Sequence, residues 1–445
     1  MKINNELKSQ IRQVLKLSLP AILSQITTIV MQYIDSAMVG NLGANASAAI
    51  GLVSTSTWLL SGLTYGVAAG FSVQVAHHIG AGQEKDARNV VRHGLAAALI
   101  MGLLLCIIGL ILASPLPRWL RGDETIRADA AAYFLTFSLM LPFSQLNSLC
   151  SSYLQCSGDM VTPSILNAAM CLLDVVFNAI FIPLYGVLGA GIGTALACAA
   201  GSLCMLLWCC CFNKQLRLRK EEKHPFCKDI LKKAVKIGVP VALQEVAMCG
   251  AMVVSTVIIA PLGPVAIAAN SFAITAESLC YMPGYGIGSA ATTLVGRSVG
   301  AGQPDVAKRL GNICTAMGGL FMAITGLIMY LICPLVFSML TPDPAVRELS
   351  AQVLRIGLMA EPLYGISIVA AGALQGAGDT FVPSLLNLVS IWGVRLGLAL
   401  LLVGALGLHG MWIAMATELC VRGLMMLLRQ KTSRHYSLYG KKEAV

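Results

Sequence analysis

Long apolar segments recur along this chain, and their length limits its fold more than any other feature. A transmembrane helix needs about 20 consecutive, mostly apolar residues, and only 12% of the 445 residues are charged. The segments are too long and too apolar for barrel strands, so each is predicted to be a helix that satisfies its own backbone hydrogen bonds. Twelve spans are predicted, at 16–40, 46–78, 90–113, 128–155, 161–184, 187–212, 235–260, 264–297, 310–335, 346–375, 381–404 and 408–429.

The second half of the sequence repeats the first at an offset of 220 residues. GAGQ occurs at 80–83 and at 300–303, and LQCSGD at 154–159 returns as LQGAGD at 374–379. The register slips by one residue near the end of each half. Because six spans are an even number, both halves enter the membrane from the same side. The repeats are therefore parallel, which is one of the two symmetric plans found in secondary transporters.

This repeat predicts an all-α integral membrane protein of twelve transmembrane helices in two parallel six-helix lobes. The N-terminal lobe is predicted at 1–212 and the C-terminal lobe at 237–430. A basic cytoplasmic linker at 213–236 joins them, and a cytoplasmic tail follows at 431–445. Twelve spans with little outer-loop material favour a transporter over a duplicated scaffold.

The basic residues indicate orientation in the membrane and no nucleic-acid partner. The net charge is +10, but most of the 31 Lys and Arg residues fall on one side when the N-terminus is placed inside. By the positive-inside rule, both termini are predicted to be cytoplasmic. The polar, basic segment 1–16 lacks the apolar core and cleavage site of a signal peptide, so no cleavage is expected.

The sequence offers no chemistry for catalysis or for ATP hydrolysis. The 15 cysteines lie mostly inside apolar segments without a Cys-x-x-Cys pair, which is typical of small apolar side chains in a reducing cell. Phosphate-binding, zinc-protease and nucleophile-elbow motifs are absent. We therefore expect neither an enzyme nor an ATP-driven pump.

Several motifs, taken in order, resemble the multidrug and toxic compound extrusion (MATE) family. IDSAMVGNLG at 34–43 ends span 1, GAG follows spans 2 and 8, GAGIGTALA at 189–197 opens span 6, and LQGAGDT at 374–380 follows span 10. The resemblance covers about residues 10–430. It implies a monomeric antiporter of the bacterial inner membrane that exports bulky, often cationic organic compounds or drugs. H⁺ or Na⁺ would be the coupling ion, with no other cofactor.

Polar residues inside the spans of the first half are candidates for the coupling site. An ionisable group in a membrane segment costs at least about 2.5–3.5 kcal/mol on insertion scales and marks a functional site. At 1.5 Å per residue, Asp35 lies roughly 28 Å along span 1, and Asp174 and Asn178 roughly 16 and 22 Å along span 5. Thr194 lies at a similar depth in span 6. The resemblance implies that these four residues form a proton or Na⁺ site, although the family's commoner order is Asn before Asp.

The second half carries intramembrane charges at unrelated positions. Arg395 is expected to neutralise Glu277 or Glu361. Glu245 resembles a helix-7 glutamate of one family branch, but the aspartate that accompanies it there falls at Tyr364, so a DinF-like branch is favoured over a NorM-like one. The candidates for substrate binding or for a role in the C-terminal lobe are Glu245, Glu277, Glu361, Arg395, Gln25, Tyr33 and Tyr281.

Two other functions remain open at this point. A flippase for lipid-linked saccharides, from the same superfamily, would carry more helices and a cavity lined by basic residues, whereas only Arg395 is basic within a span. An intramembrane enzyme would need a nucleophile with its base, or a metal set. The sequence neither names the substrate nor distinguishes H⁺ from Na⁺.

Overall fold

The computed structural model describes residues 2–120, 122–219, 222 and 226–437. Arg121, parts of the predicted linker at 220–221 and 223–225, and the tail from 438 lie outside the described residues. The described part of the chain is helical and contains no strand. The helices are α1 Lys2–Gly40, α2 Ala44–Gly80, α3 Glu84–Ala113, α4 Leu116–Trp119, α5 Glu124–Cys156, α6 Val161–Tyr185, α7 Val187–Leu207, α8 Lys228–Ile259, α9 Pro264–Gly300, α10 Pro304–Leu340, α11 Pro344–Leu358, α12 Glu361–Gly376, α13 Phe381–Val389, α14 Leu396–Leu406 and α15 Leu408–Thr432.

The long helices match the twelve predicted spans. Ten described spans have the length and apolar character needed to cross a membrane, and the bent pair α11 and α12 makes an eleventh. The twelfth, α5, is 33 residues long but more polar. A π-helical segment, Ser390–Arg395, joins α13 and α14 into one span. The 55° bend between α11 and α12 lies at Pro362, whose ring and missing N–H prevent a straight helix.

Glycines in the turns make the internal repeat visible in the backbone. A left-handed φ angle is strained for residues with a Cβ, so turns of this shape favour glycine. Each turn glycine of the first half has a counterpart 220 or 221 residues later with a similar φ angle. The pairs are Gly43 and Gly263 (107° and 91°), Gly82 and Gly302 (74° and 69°), Gly158 and Gly378 (87° and 83°), and Gly186 and Gly407 (60° and 56°).

The same correspondence holds for two helix N-termini. Asp123 accepts a 3.0 Å hydrogen bond from the backbone N–H of Thr125 at the start of α5, and Asp343 accepts one of 2.9 Å from Ala345 at the start of α11. These bonds satisfy N–H groups that have no partner within the helix. The hydrogen bonds from Thr125 also lower the pKa of the Asp123 carboxyl group.

Contacts divide the chain into two compact units whose boundaries fall inside helices. One unit, called here the N-unit, is Ile26–Val246, and the other, the C-unit, is Met1–Gln25 with Ala247–Val445. The first part of α1 therefore belongs to the C-unit and the first part of α8 to the N-unit. The predicted lobes at 1–212 and 237–430 place these segments differently, and that division stays a prediction.

Glycines allow these two segments to pack closely within their units. A Cβ atom on Gly66 of α2 would lie 2.8 Å from Cβ of Ala242 in α8, and one on Gly286 of α9 would lie 2.6 Å from the backbone nitrogen of Ile22 in α1. Both members of the second pair lie 220 residues from a member of the first. Small residues are what allow helices in a membrane to approach at this distance.

We expect Gly286→Ala to destabilise the protein. The added methyl would meet backbone atoms of α1, which cannot move away as a side chain can, and overpacking of this kind typically costs about 1–3 kcal/mol. The measurement is thermal melting in detergent, with Gly404→Ala as the control because a Cβ there meets nothing within 4 Å. Equal melting temperatures for the two variants would contradict this packing.

Apolar side chains fill the interior of each unit and also cover its outside. Tyr153 in the N-unit and Trp412 in the C-unit are fully enclosed. On α3, Ile100 and Ile111 are both 68% exposed. Exposed apolar surface on this scale indicates a partner or a membrane. Together with the length of the helices, it indicates contact with lipid.

Candidate functional site

Three of the four predicted coupling residues meet inside the N-unit. The Asn178 amide on α6 donates a 2.9 Å hydrogen bond to Oδ1 of Asp35 on α1. Asp174 lies one helical turn before Asn178, and its carboxyl group is within hydrogen-bonding reach of that of Asp35. Asp174 and Asn178 are fully buried, whereas Asp35 is partly exposed. α1 and α6 thus bring two carboxyl groups and one amide to a single point.

This group of residues has more acceptors than donors. Both carboxylate oxygens of Asp174 and Oδ1 of Asn178 are buried without a hydrogen-bond partner among the described residues. Two ionised carboxylates have no hydrogen to share, so Asp35 and Asp174 can bond to each other only if one of them holds a proton. A proton or a small hard cation would satisfy these oxygens, and the residue types fit either ion.

Close packing of α7 fixes the position of Asn178. A Cβ atom on Gly193 would lie 2.1 Å from Oδ1 of Asn178, so only glycine leaves room for the amide. Thr194, the fourth predicted residue, follows directly and is partly buried. No hydrogen bond of its hydroxyl is seen in the described part of the chain. Thr194 is therefore beside the site without contacting the carboxylates, and its coupling role stays a prediction.

Tyr133 on α5 belongs to the same neighbourhood, and the sequence analysis missed it. Its hydroxyl interacts electrostatically with both Asp35 and Asp174. A single tyrosine in an apolar segment gives no signal by itself, because its ring is equally suited to packing. Comparing its depth in the membrane with that of Asp35 was the only way to find it.

Within the described residues, the site is distinct from a multi-acid metal centre. No group of three or more His, Cys, Asp or Glu side chains is placed to hold a metal ion in the part of the chain that the structure describes. The Asp35 site has two carboxyl groups with neutral oxygens around them. Such a set carries enough charge for a proton or a monovalent cation.

The remaining candidates lie apart from this site. Glu245 packs against Gly62 of α2, where an added Cβ would meet its side chain at 2.8 Å. Gln25 belongs to the C-unit and is partly buried on α1, as is Tyr33. Tyr281 packs against Tyr364, with 5.6 Å between the ring centroids. Their predicted roles in substrate binding stay predictions.

The expected partner of Arg395 is wrong. Arg395 forms an ion pair with Glu418 on α15, with 2.7 Å between Nη2 and Oε2, and hydrogen-bonds to neither Glu277 nor Glu361 among the described contacts. Glu418 was not predicted as a site residue. Its only sequence signal is that it is an acidic residue inside the last span. The π-helical segment that ends at Arg395 also carries Ser390, which donates a 2.6 Å hydrogen bond to Glu418.

Comparisons with known proteins agree with this architecture. The family model MatE matches residues 20–180 and 240–401. A protein of Idiomarina loihiensis named as a probable multidrug resistance protein NorM is 27% identical over 447 residues, covering 96% of each chain. One of Deinococcus radiodurans with the same name is 29% identical and covers 95% of each. An uncharacterized transporter YisQ of Bacillus subtilis is 24% identical, covering 89% of each.

Solved structures share the fold at lower identity. A MOP superfamily transporter from Pyrococcus furiosus has a TM-score of 0.91 at 21% identity, covering 97% of each chain. The MATE transporter VcmN of Vibrio cholerae, in its bent form, has a TM-score of 0.88 at 20% identity, covering 97% of this chain and 99% of its own. These likenesses confirm the predicted fold class of twelve helices in two lobes.

Proposed function

The chain belongs to the MatE family, and from that premise we propose that it is a secondary active antiporter for multidrug efflux. In this proposal it exports bulky, often cationic organic compounds in exchange for H⁺ or Na⁺ by alternating access. The observation that carries the proposal is the set of unpartnered oxygens where Asp35, Asp174 and Asn178 meet. Relatives named as multidrug resistance proteins along nearly the whole chain support the substrate class.

The ion acts by changing the charge of the buried site. An unpartnered negative charge is costly in a low-dielectric interior, so binding of H⁺ or Na⁺ stabilises the conformation in which α1, α5 and α6 enclose Asp35 and Asp174. Release of the ion favours a conformation in which these carboxylates reach water. A ligand shifts such an equilibrium only by the difference between its affinities for the two states, and this site supplies that difference.

The setting of the transporter follows from the sequence and the helices. We infer that it is a multi-pass protein of the bacterial plasma membrane with both termini in the cytoplasm. It would work as a monomer and need no cofactor besides the coupling ion. Glu245, on the part of α8 that packs in the N-unit, is proposed to attract cationic substrates, because its carboxylate is partly exposed and has no arginine or lysine paired with it among the described ion pairs.

Efflux of a fluorescent cationic dye from inverted vesicles tests the proposal. We expect transport when either a proton or a Na⁺ gradient is imposed alone, and the effective gradient identifies the coupling ion. ATP without a gradient should support none. The control is an equal amount of vesicles that contain the Asp35→Asn variant. Dye movement that is independent of both gradients would exclude antiport.

A further inference from the structure

Two glutamates buried in the C-unit have carboxylate oxygens that the proposed antiport site does not use. Glu277 on α9 is 5% exposed, and Glu361, the first residue of α12, is 1% exposed. Oε1 of Glu277 and both oxygens of Glu361 have no hydrogen-bond partner among the described residues. The two side chains interact electrostatically with each other. They form a carboxylate pair without a described donor.

Tight helix packing encloses this pair. A Cβ atom on Gly357 of α11 would lie 3.2 Å from Oε1 of Glu277, and one on Gly326 of α10 would lie 3.1 Å from Cβ of Glu361. Trp412 of α15 closes the same region by packing against Gly357. A bulky organic compound therefore has no access to these carboxylates in this conformation, which leaves a proton or a small cation as the ligand.

The cations of this region are already bound to a third carboxylate. Arg395 pairs with Glu418 at 2.7 Å, and Nε of Arg422 lies 3.0 Å from the other oxygen of Glu418. The guanidinium of Arg422 also lies over the ring of Tyr364, 5.3 Å from its centroid. Arg395 interacts with Glu277 only electrostatically, without a described hydrogen bond.

Charge balance then requires one proton. Three ionised carboxylates beside two guanidinium groups would leave one uncompensated negative charge in a buried site, which costs several kcal/mol in real proteins. One added proton makes the whole set neutral. The remaining titratable groups that face the pair are the Cys280 thiol on α9 and the Tyr364 hydroxyl on α12, and both are neutral in their ordinary forms.

We propose that Glu277 and Glu361 together hold one proton, forming a second proton-binding site that is separate from Asp35. The proton is bonded to one carboxyl group and donates a hydrogen bond to the other, while the surplus positive charge of Arg395, Glu418 and Arg422 balances the remaining negative charge. Glu361 lies at the bend between α11 and α12. Loss of the proton would place an unpaired charge at that bend and favour a conformation in which water reaches it. This inference does not depend on the antiport proposed above.

Infrared difference spectroscopy of the purified protein in lipid tests the inference directly. A protonated carboxyl group in a dry site absorbs as a C=O band that is distinct from the ionised form. We expect one such band that disappears as pH rises, that is lost in both Glu277→Gln and Glu361→Gln, and that persists in Asp35→Asn. Persistence of every band in both glutamine variants would overturn the site. Loss of the band only in Asp35→Asn would assign the proton to the N-unit.

Thermal melting as a function of pH separates a shared proton from a purely structural charge. If the folded protein holds a proton that the unfolded chain has released, stability falls as pH rises, because the native state binds more protons. Glutamine resembles the protonated acid, so Glu361→Gln should melt like wild type at acidic pH and at a higher temperature than wild type at alkaline pH. The control is Glu348→Gln, which alters an exposed carboxylate and should leave the pH profile unchanged. A Glu361→Gln variant that is less stable at every pH would overturn the proposal.

Discussion

Asp35→Asn is expected to abolish gradient-driven efflux while the protein still folds. The substitution removes the charge but keeps an oxygen at the position of Oδ1, so the 2.9 Å hydrogen bond from Asn178 can still form. The site then resembles its protonated state permanently and can no longer respond to the gradient. We expect the initial rate of dye efflux to fall at least about tenfold, which corresponds to about 1.4 kcal/mol.

Inverted vesicles with equal amounts of protein provide the measurement. Asp129→Asn is the matched control, because it neutralises an exposed aspartate at the beginning of α5 and should transport at the wild-type rate. Elution from a sizing column and the melting temperature show whether each variant is folded. Normal transport by a folded Asp35→Asn variant would exclude Asp35 as the coupling group.

Asp174→Asn is expected to cause a comparable loss, and the double variant to lose no more than either single one. Asp174 is fully buried and has carboxylate oxygens with no partner besides the Asp35 carboxyl group. If the two acids hold one ion together, removal of either charge destroys the same site. Groups that act as a unit are strongly non-additive, whereas independent sites add their effects.

The double-mutant cycle needs the rates of wild type, both single variants and the double variant in the same vesicles. Asp305→Asn serves as the control, since Asp305 is exposed in the first turn of α10. Losses that multiply in the double variant would show two separate ion sites. A wild-type rate for Asp174→Asn would leave Asp35 as the sole coupling carboxylate.

Together these experiments divide the work between the two units. Loss of coupling in the Asp35 and Asp174 variants, with the infrared band of Glu277 and Glu361 intact, would give one ion site that drives transport and one that responds to the C-unit alone. The reciprocal result would move the coupling role to the C-unit. Either result assigns a definite function to each buried acid.

Much of the fold was predictable from the sequence. The cost of burying a charge or a backbone polar group acts on each segment separately, so apolar length alone predicts where the helices lie. The repeat predicted a second set of turns, and Gly82 and Gly302 adopt nearly the same φ angle. The meeting of Asp35 with Asp174 and Asn178 was also predictable, because the rise per residue places them at similar depths.

Rotation of helices about their own axes was not predictable in the same way. Depth along a helix follows from the sequence, but the direction in which a side chain points depends on packing against other helices. Arg395 pairs with Glu418 because the π-helical turn that precedes it changes the face on which Arg395 lies. By depth alone, Glu277 and Glu361 were equally acceptable partners. Tyr133 was missed for the same reason.

The division of α1 and α8 between the two units was also decided only by the tertiary structure. The sequence shows each as one continuous apolar helix with no signal at Gln25 or Val246. Their first segments pack where Gly286 and Gly66 leave no side chain in the way, and those glycines are distant in the sequence. Local composition determines that a helix forms. Close packing between distant segments determines which neighbour it has, because contact energy depends on the shapes of both surfaces.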